Sequence, residues 1–146
     1  MTTVARILGT KPDQAVYSIA PGASVFDAVK LMAEKGIGAL VVIDGGTIVG
    51  MFSERDYARK TVLMGRSSKE TAVREIMASP VMYARPDQTS EECMAMMTEK
   101  RFRHLPVLDD GKLLGMISIG DLVKEILSEK DFVIGQLERY IAGSRG

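Results

Sequence analysis

An α+β fold made of two β-α-β-β-α repeats follows from three observations on the 146-residue sequence. The chain matches itself at an offset of 65 residues, pairing Pro21 with Pro86, Ser24 with Thr89, Met32 with Met97, Leu40 with Leu105, Gly50-Met51 with Gly115-Met116, Ser53 with Ser118 and Asp56 with Asp121. Within each copy, apolar residues at helical spacing are followed by a short continuous apolar run of strand length. Each run then meets an Asp/Gly turn and a second run, the pattern of a hairpin. A self-match of that extent defines the architecture before any single motif does.

Taken in order, Val4-Ala5-Arg6-Ile7-Leu8 is a lead-in that returns as Val73-Arg74-Glu75-Ile76-Met77, at an offset of 69. The first copy therefore carries four extra residues around Lys11-Pro12-Asp13-Gln14, where Pro and Asp predict a turn. Val16 to Ile19 and Val81 to Ala84 read as short extended segments before Pro21 and Pro86, since proline biases its predecessors away from helix. Ser24 and Thr89 are predicted N-caps, each with an acid three positions on, Asp27 or Glu92. The helices that follow carry apolar stripes of Val25, Ala28, Val29 and Met32, and of Cys93, Met94 and Met97.

Ala39-Leu40-Val41-Val42-Ile43 and Leu105-Pro106-Val107-Leu108 are predicted buried strands. Asp44-Gly45-Gly46 and Asp109-Asp110-Gly111 tolerate positive φ and fold each strand back onto Ile48 to Phe52 or Leu113 to Ile117. Gly65 to Thr71 is a polar linker, too short to separate independent domains. The expected division is 1–65 for the first repeat with its lead-in, 66–128 for the second with linker and lead-in, and 129–146 for a helical tail. That tail, through Leu137, Tyr140 and Ile141 to Gly143 with a break near Gly135, exceeds the repeat and needs a partner surface.

Composition excludes several classes. Nineteen Lys plus Arg against nineteen Asp plus Glu give zero formal net charge, which offers nucleic acid no global attraction. No apolar run approaches the roughly 18 residues of a membrane span, and no signal peptide is legible at the N-terminus, so a cytoplasmic location is expected. Cys93 is the only cysteine and His104 the only histidine, which leaves no disulfide and no metal-ligand set. No Ser-His-Asp order, carboxylate pair or Walker pattern supports catalysis.

The repeated phrase Gly50-Met51-Phe52-Ser53-Glu54-Arg55-Asp56 and Gly115-Met116-Ile117-Ser118-Ile119-Gly120-Asp121 marks a strand-to-helix corner in each copy. Free N–H groups at a helix start suit phosphate, and a carboxylate three residues after the Ser suits a pair of ribose hydroxyls. The same residues also make ordinary capping boxes, and both readings stand at this point.

The ordered set Val73-Arg74-Glu75-Ile76-Met77, Gly38-Ala39-Leu40-Val41-Val42, Arg103-His104-Leu105-Pro106-Val107 and the two Ser-x-x-Asp corners resembles a tandem of cystathionine β-synthase (CBS) domains of the stand-alone bacterial type, over nearly the whole chain. The resemblance implies a Bateman module, two repeats packed about a pseudo-two-fold axis through their sheets, with two clefts that bind adenosine compounds. It implies that Asp56 and Asp121 hold ribose, and that Ser53 and Ser118 contact phosphate. Gly38 and Ala39, or Arg103 and His104, face the same clefts, and Ser18 with Ile19, or Tyr83 with Ala84, help to enclose the base.

The copies differ where charge matters. Arg103 and His104 replace Gly38 and Ala39, concentrating phosphate contacts in the second copy, while Arg55 takes the slot of Gly120 and offers the first corner a guanidinium. The expected function is a non-catalytic regulatory module for AMP, ADP or ATP, with AMP favoured and NAD as a variant, requiring no metal. It would signal through a homodimer or an unidentified effector protein, with neither nucleic acid nor membrane as partner. A structural module without a nucleotide ligand is the alternative.

Overall fold

Helix caps, hairpin turns and apolar runs all appear where local chemistry places them, in a computed structural model that describes residues 2–12 and 15–145. The turn expected at Asp13 and Gln14 lies outside the described residues. The elements are α1 (Val4–Thr10), β1 (Ser18–Ile19), α2 (Val25–Lys35), β2 (Ala39–Asp44), β3 (Thr47–Ser53), α3 (Glu54–Tyr57), α4 (Ser90–Lys100), β4 (His104–Asp109), β5 (Lys112–Ser118) and α5 (Ile119–Arg145). A π-helical turn, Ala58–Val62, extends α3, and a 3-10 turn, Val73–Glu75, holds the second lead-in.

The chain divides into two compact units: Ala15–Met82, and Met1–Gln14 together with Tyr83–Gly146. This partition differs from the repeat boundaries, because each lead-in packs in the unit formed by the other repeat.

In the contiguous unit, the Ser24 hydroxyl accepts from Asp27 N (3.1 Å) and starts α2. Two further orphan donors of α2 are met by the linker, Val25 N to Thr71 O (2.8 Å) and Phe26 N to Ser68 O (2.8 Å). The linker is thus packed structure and not a tether. Strand order is β1-β2-β3, with β1 parallel and β3 antiparallel to β2. Gly45 (φ 57°) and Gly46 (φ 85°) form the two-residue hairpin turn, both in the positive-φ region that such turns require. Val25, Ala28 and Met32 of α2 pack with Leu40, Val42 and Phe52 of the sheet and with Val73 and Ile76 of the lead-in.

The other unit repeats the plan. Thr89 accepts from Glu92 N (3.2 Å), β4 and β5 pair as a hairpin through Asp110 and Gly111, and the ladder shifts register at Val107/Leu108, as it does at Val42/Ile43 in the first copy. The first extended segment of this copy is reduced to a single parallel bridge, Ala84 with Val107. Val4 and Ile7 of α1 are buried, as are Cys93, Met97, Leu105, Val107, Ile117 and Leu122. Burial, with Glu92 adding to it, pushes the Cys93 thiol up to about 11, which suits the packing role expected of it.

Close approach explains why Gly50 and Gly115 occur in both copies. A Cβ at Gly50 would sit 2.6 Å from Met77 Sδ and 3.0 Å from Ala78 O, and one at Gly115 would sit 2.9 Å from Leu8 Cδ2. Met77 and Leu8 are the matched ends of the two lead-ins, so each glycine is the floor on which a lead-in rests.

Two expectations for the tail change. No break occurs near Gly135, and the helix does not stop at Gly143: α5 runs unbroken from Ile119 to Arg145. One glycine costs a helix only about 1 kcal/mol, and the flanking Leu, Glu, Gln and Arg residues are good helix formers.

Candidate functional site

Each repeated corner is built by a hairpin strand that ends on a serine and turns at once into a helix. In the contiguous unit, Ser53 closes β3 opposite Ala39, and the carbonyl of Gly38 accepts from Glu54 N (3.1 Å). The Ser53 hydroxyl accepts from Asp56 N (3.2 Å). The Asp56 carboxylate in turn accepts from Ser53 N (3.1 Å) and from the Ser53 hydroxyl (3.0 Å). In the other unit Ser118 lies opposite His104, and the Arg103 carbonyl accepts from Ile119 N (2.8 Å). Asp121 N donates to Ser118 Oγ (3.1 Å) and Ser118 N to Asp121 Oδ2 (2.8 Å). Both corners are complete capping boxes.

Two lysines that sequence reasoning did not single out complete the corners. Lys60 Nζ lies 3.4 Å from Asp56 Oδ1 and donates to Ile76 O (3.2 Å). Lys11 Nζ lies 3.0 Å from Asp121 Oδ2 and donates to Met116 O (2.7 Å). They arrive by unrelated routes. Lys60 stands one helical turn after Asp56, a spacing readable in the sequence. At the 65-residue offset its slot in the second copy is Glu125, so no lysine follows Asp121 in that way. The ammonium comes instead from the end of α1, within the four extra residues of the first lead-in, and no sequence pattern announced it.

Burial alone would push the Asp121 carboxyl up. The Ser118 N–H and the Lys11 ammonium outweigh it and hold the carboxyl below its usual value, so the group is an anion at neutral pH. Each corner therefore presents a fixed carboxylate, an adjacent cation and a serine hydroxyl at the first turn of a helix. That combination can accept from hydroxyls and pair with an anion on one small molecule.

The structure brings Gly38, Ala39, Ser53, Arg55 and Asp56 together at one corner, with Arg55 half-buried on α3, and Arg103, His104, Ser118 and Asp121 at the other. Ser18 and Ile19 are more remote. They pair with Val41 and Val42 on the far side of β2, about 10 Å from β3 at two strand spacings. Ala84 is buried, its N–H donating to Pro106 O (2.9 Å) and its carbonyl accepting from Leu108 N (2.9 Å), so it offers a ligand no free backbone group. Tyr83 beside it is 45% exposed. Among the described residues, no cluster of His, Cys, Asp and Glu could hold a metal ion, and no helix is long and apolar enough to cross a membrane.

The family model of the CBS domain matches twice, at residues 4–62 and 73–128. Among curated proteins, the mitochondrial CBS domain-containing protein CBSX3 of Arabidopsis thaliana is 40% identical over 125 residues, 82% of this chain. The match spans 61% of that relative's length. Among solved structures, a protein with CBS domains from Burkholderia ambifaria is 60% identical with a TM-score of 0.84, covering 87% of this chain and 95% of that one. A hexameric CBS-CP12 protein from bloom-forming cyanobacteria is 34% identical with a TM-score of 0.75, covering 90% of this chain and 74% of its own. With both repeats matched in order and their corners equivalent, the chain belongs to the CBS-domain family as a tandem pair.

Proposed function

We propose that the chain is a non-catalytic regulatory module that binds adenine nucleotides at its two Ser-x-x-Asp corners and signals through a change in its association with itself or with a partner protein. The observation that carries this reading is the ammonium set against the corner carboxylate in both copies, from Lys60 in one and from Lys11 in the other. A capping box needs no such cation. A nucleotide does, because its phosphate requires positive charge beside the serine while its ribose hydroxyls occupy the carboxylate. AMP is the favoured ligand, with ATP, ADP and NAD as variants, and no metal is required. The hexameric CBS-CP12 relative supports self-association as an output for this fold.

The complete capping boxes favour a second reading, a structural module whose corners do no more than start helices. Thermal shift against AMP, ADP, ATP, NAD and adenosine separates the two. Ligand at about 100 times its dissociation constant stabilises the protein by about 2.7 kcal/mol, whereas no response to any of the panel selects the structural reading.

A further inference from the structure

Beyond its first turn, α5 carries an apolar stripe that stands largely exposed. Val123, Leu127, Lys130, Ile134, Leu137 and Ile141 recur at intervals of four, three, four, three and four residues, which keeps them on one helical face. Val123 is 43% exposed, Leu127 56%, Ile134 52% and Leu137 56%. The stripe covers nineteen residues, and its ends lie about 27 Å apart along the helix.

We infer that a second copy of this chain covers the stripe, its own α5 lying antiparallel along it. The spacing reads the same from both ends, so a two-fold axis at the level of residue 132 sets Val123 against Ile141, Leu127 against Leu137 and Lys130 against Ile134 of the other copy. A parallel pair would instead set Lys130 against Lys130 in the seam, a like-charge contact. The flanking column of Lys124, Asp131 and Glu138 agrees on balance with the antiparallel choice, because it brings each Lys124 within two residues of the level of the other copy's Glu138, two opposite-charge approaches against one like-charge approach of Asp131 to Asp131 beside the axis. The same column argues against a lipid surface as occupant. Interfacial helices border their apolar face with Lys and Arg, whereas two of these three positions are acidic. The pairing stands independently of the nucleotide reading.

The test is sedimentation velocity of the full chain over a concentration series, for wild type, Leu127→Glu, Leu137→Lys and the double variant. All substituted positions are exposed, and circular dichroism checks that the fold is kept. Each single change buries a charge against leucine on both sides of the axis and is expected to weaken self-association at least about a hundredfold. The double variant sets the new carboxylate of each copy against the new ammonium of the other and is expected to recover most of that loss. Single variants that associate as wild type does overturn the inference, as does a double variant weaker than either single one, the result a parallel pair would give. A monomeric wild type overturns it as well, and binding of the monomer to vesicles of anionic lipid would then identify a membrane surface as the occupant.

Discussion

Replacing Asp121 with alanine separates a ribose-holding carboxylate from a helix cap. The side chain accepts from Ser118 N at 2.8 Å and sits 3.0 Å from Lys11 Nζ, both partners lying on the same oxygen. The Ser118 hydroxyl still caps the helix, and losing the carboxylate half of the capping box costs about 1 kcal/mol. Losing the ion pair adds under about 1 kcal/mol, since both side chains remain 23% exposed and water screens them. Lys11 keeps its bond to Met116 O, so no cation is stranded. The expected total of about 1–2 kcal/mol lowers Tm by roughly 2–8 °C for a chain of this size. Binding should fall further. Hydrogen bonds from ribose to a charged acceptor contribute about 1.5–3 kcal/mol each, and losing even one reduces affinity about tenfold or more. Ser118→Ala supplies the comparison: it removes the other half of the capping box, the hydroxyl that accepts from Asp121 N, but leaves the carboxylate, so it should weaken AMP while sparing adenosine, whereas Asp121→Ala weakens both. Calorimetric titration with AMP and adenosine, beside thermal melts, measures this. An Asp121→Ala protein that loses about 1 kcal/mol of stability yet binds AMP as tightly as wild type refutes the ribose assignment and leaves only the cap.

The two lead-in glycines should respond unequally to alanine. At Gly50 the new methyl meets the backbone carbonyl of Ala78 at 3.0 Å as well as Met77 Sδ at 2.6 Å, and that carbonyl already accepts from Met51 N, so a loss of about 1–3 kcal/mol is expected on urea unfolding. At Gly115 only the tip of Leu8 is in the way, and a smaller loss is expected; equal losses would show that the lead-ins are not what the glycines accommodate. The acid limb of stability tests Lys11. Because the folded carboxyl of Asp121 lies below its ordinary value of 3.8, its contribution is present above that pH and is lost as pH falls through the folded value. Lys11→Met removes part of what holds it down, so acid unfolding should begin at a higher pH, and an unchanged acid midpoint would count against the pair.

What was legible in the sequence was what local chemistry dictates. Ser24 and Thr89 start helices because a hydroxyl meets an N–H three residues on, and the Gly45-Gly46 and Asp110-Gly111 turns follow from tolerance of positive φ. None of these depends on where the rest of the chain lies. The lead-ins were recognised as matched segments but not as exchanged ones, since Leu8 carries no mark of whether it will rest on Gly50 or Gly115. Lys11 is illegible for the same reason: its partner lies 110 residues away, and an ordinary lysine beyond a short helix has no periodicity to reveal it. Gly135 is the opposite case: the local cost of a glycine predicts a break there, and the surrounding helix outweighs it.

The exchange of lead-ins also sets an order of events as the chain leaves the ribosome. Residues 15–82 are contiguous and can close on themselves as soon as they emerge. Helix α1 cannot. Its hydrogen bonds run from Val4 N to Gln88 O and from Ala5 N to Pro86 O, and the floor beneath Leu8 is Gly115. Closing a loop of that length costs about 4 kcal/mol of chain entropy before any contact offsets it. Val4, Ile7 and Leu8, synthesised before residues 15–82, are thus covered after them, and until Gly115 has emerged they trail as an apolar segment with nowhere to dock.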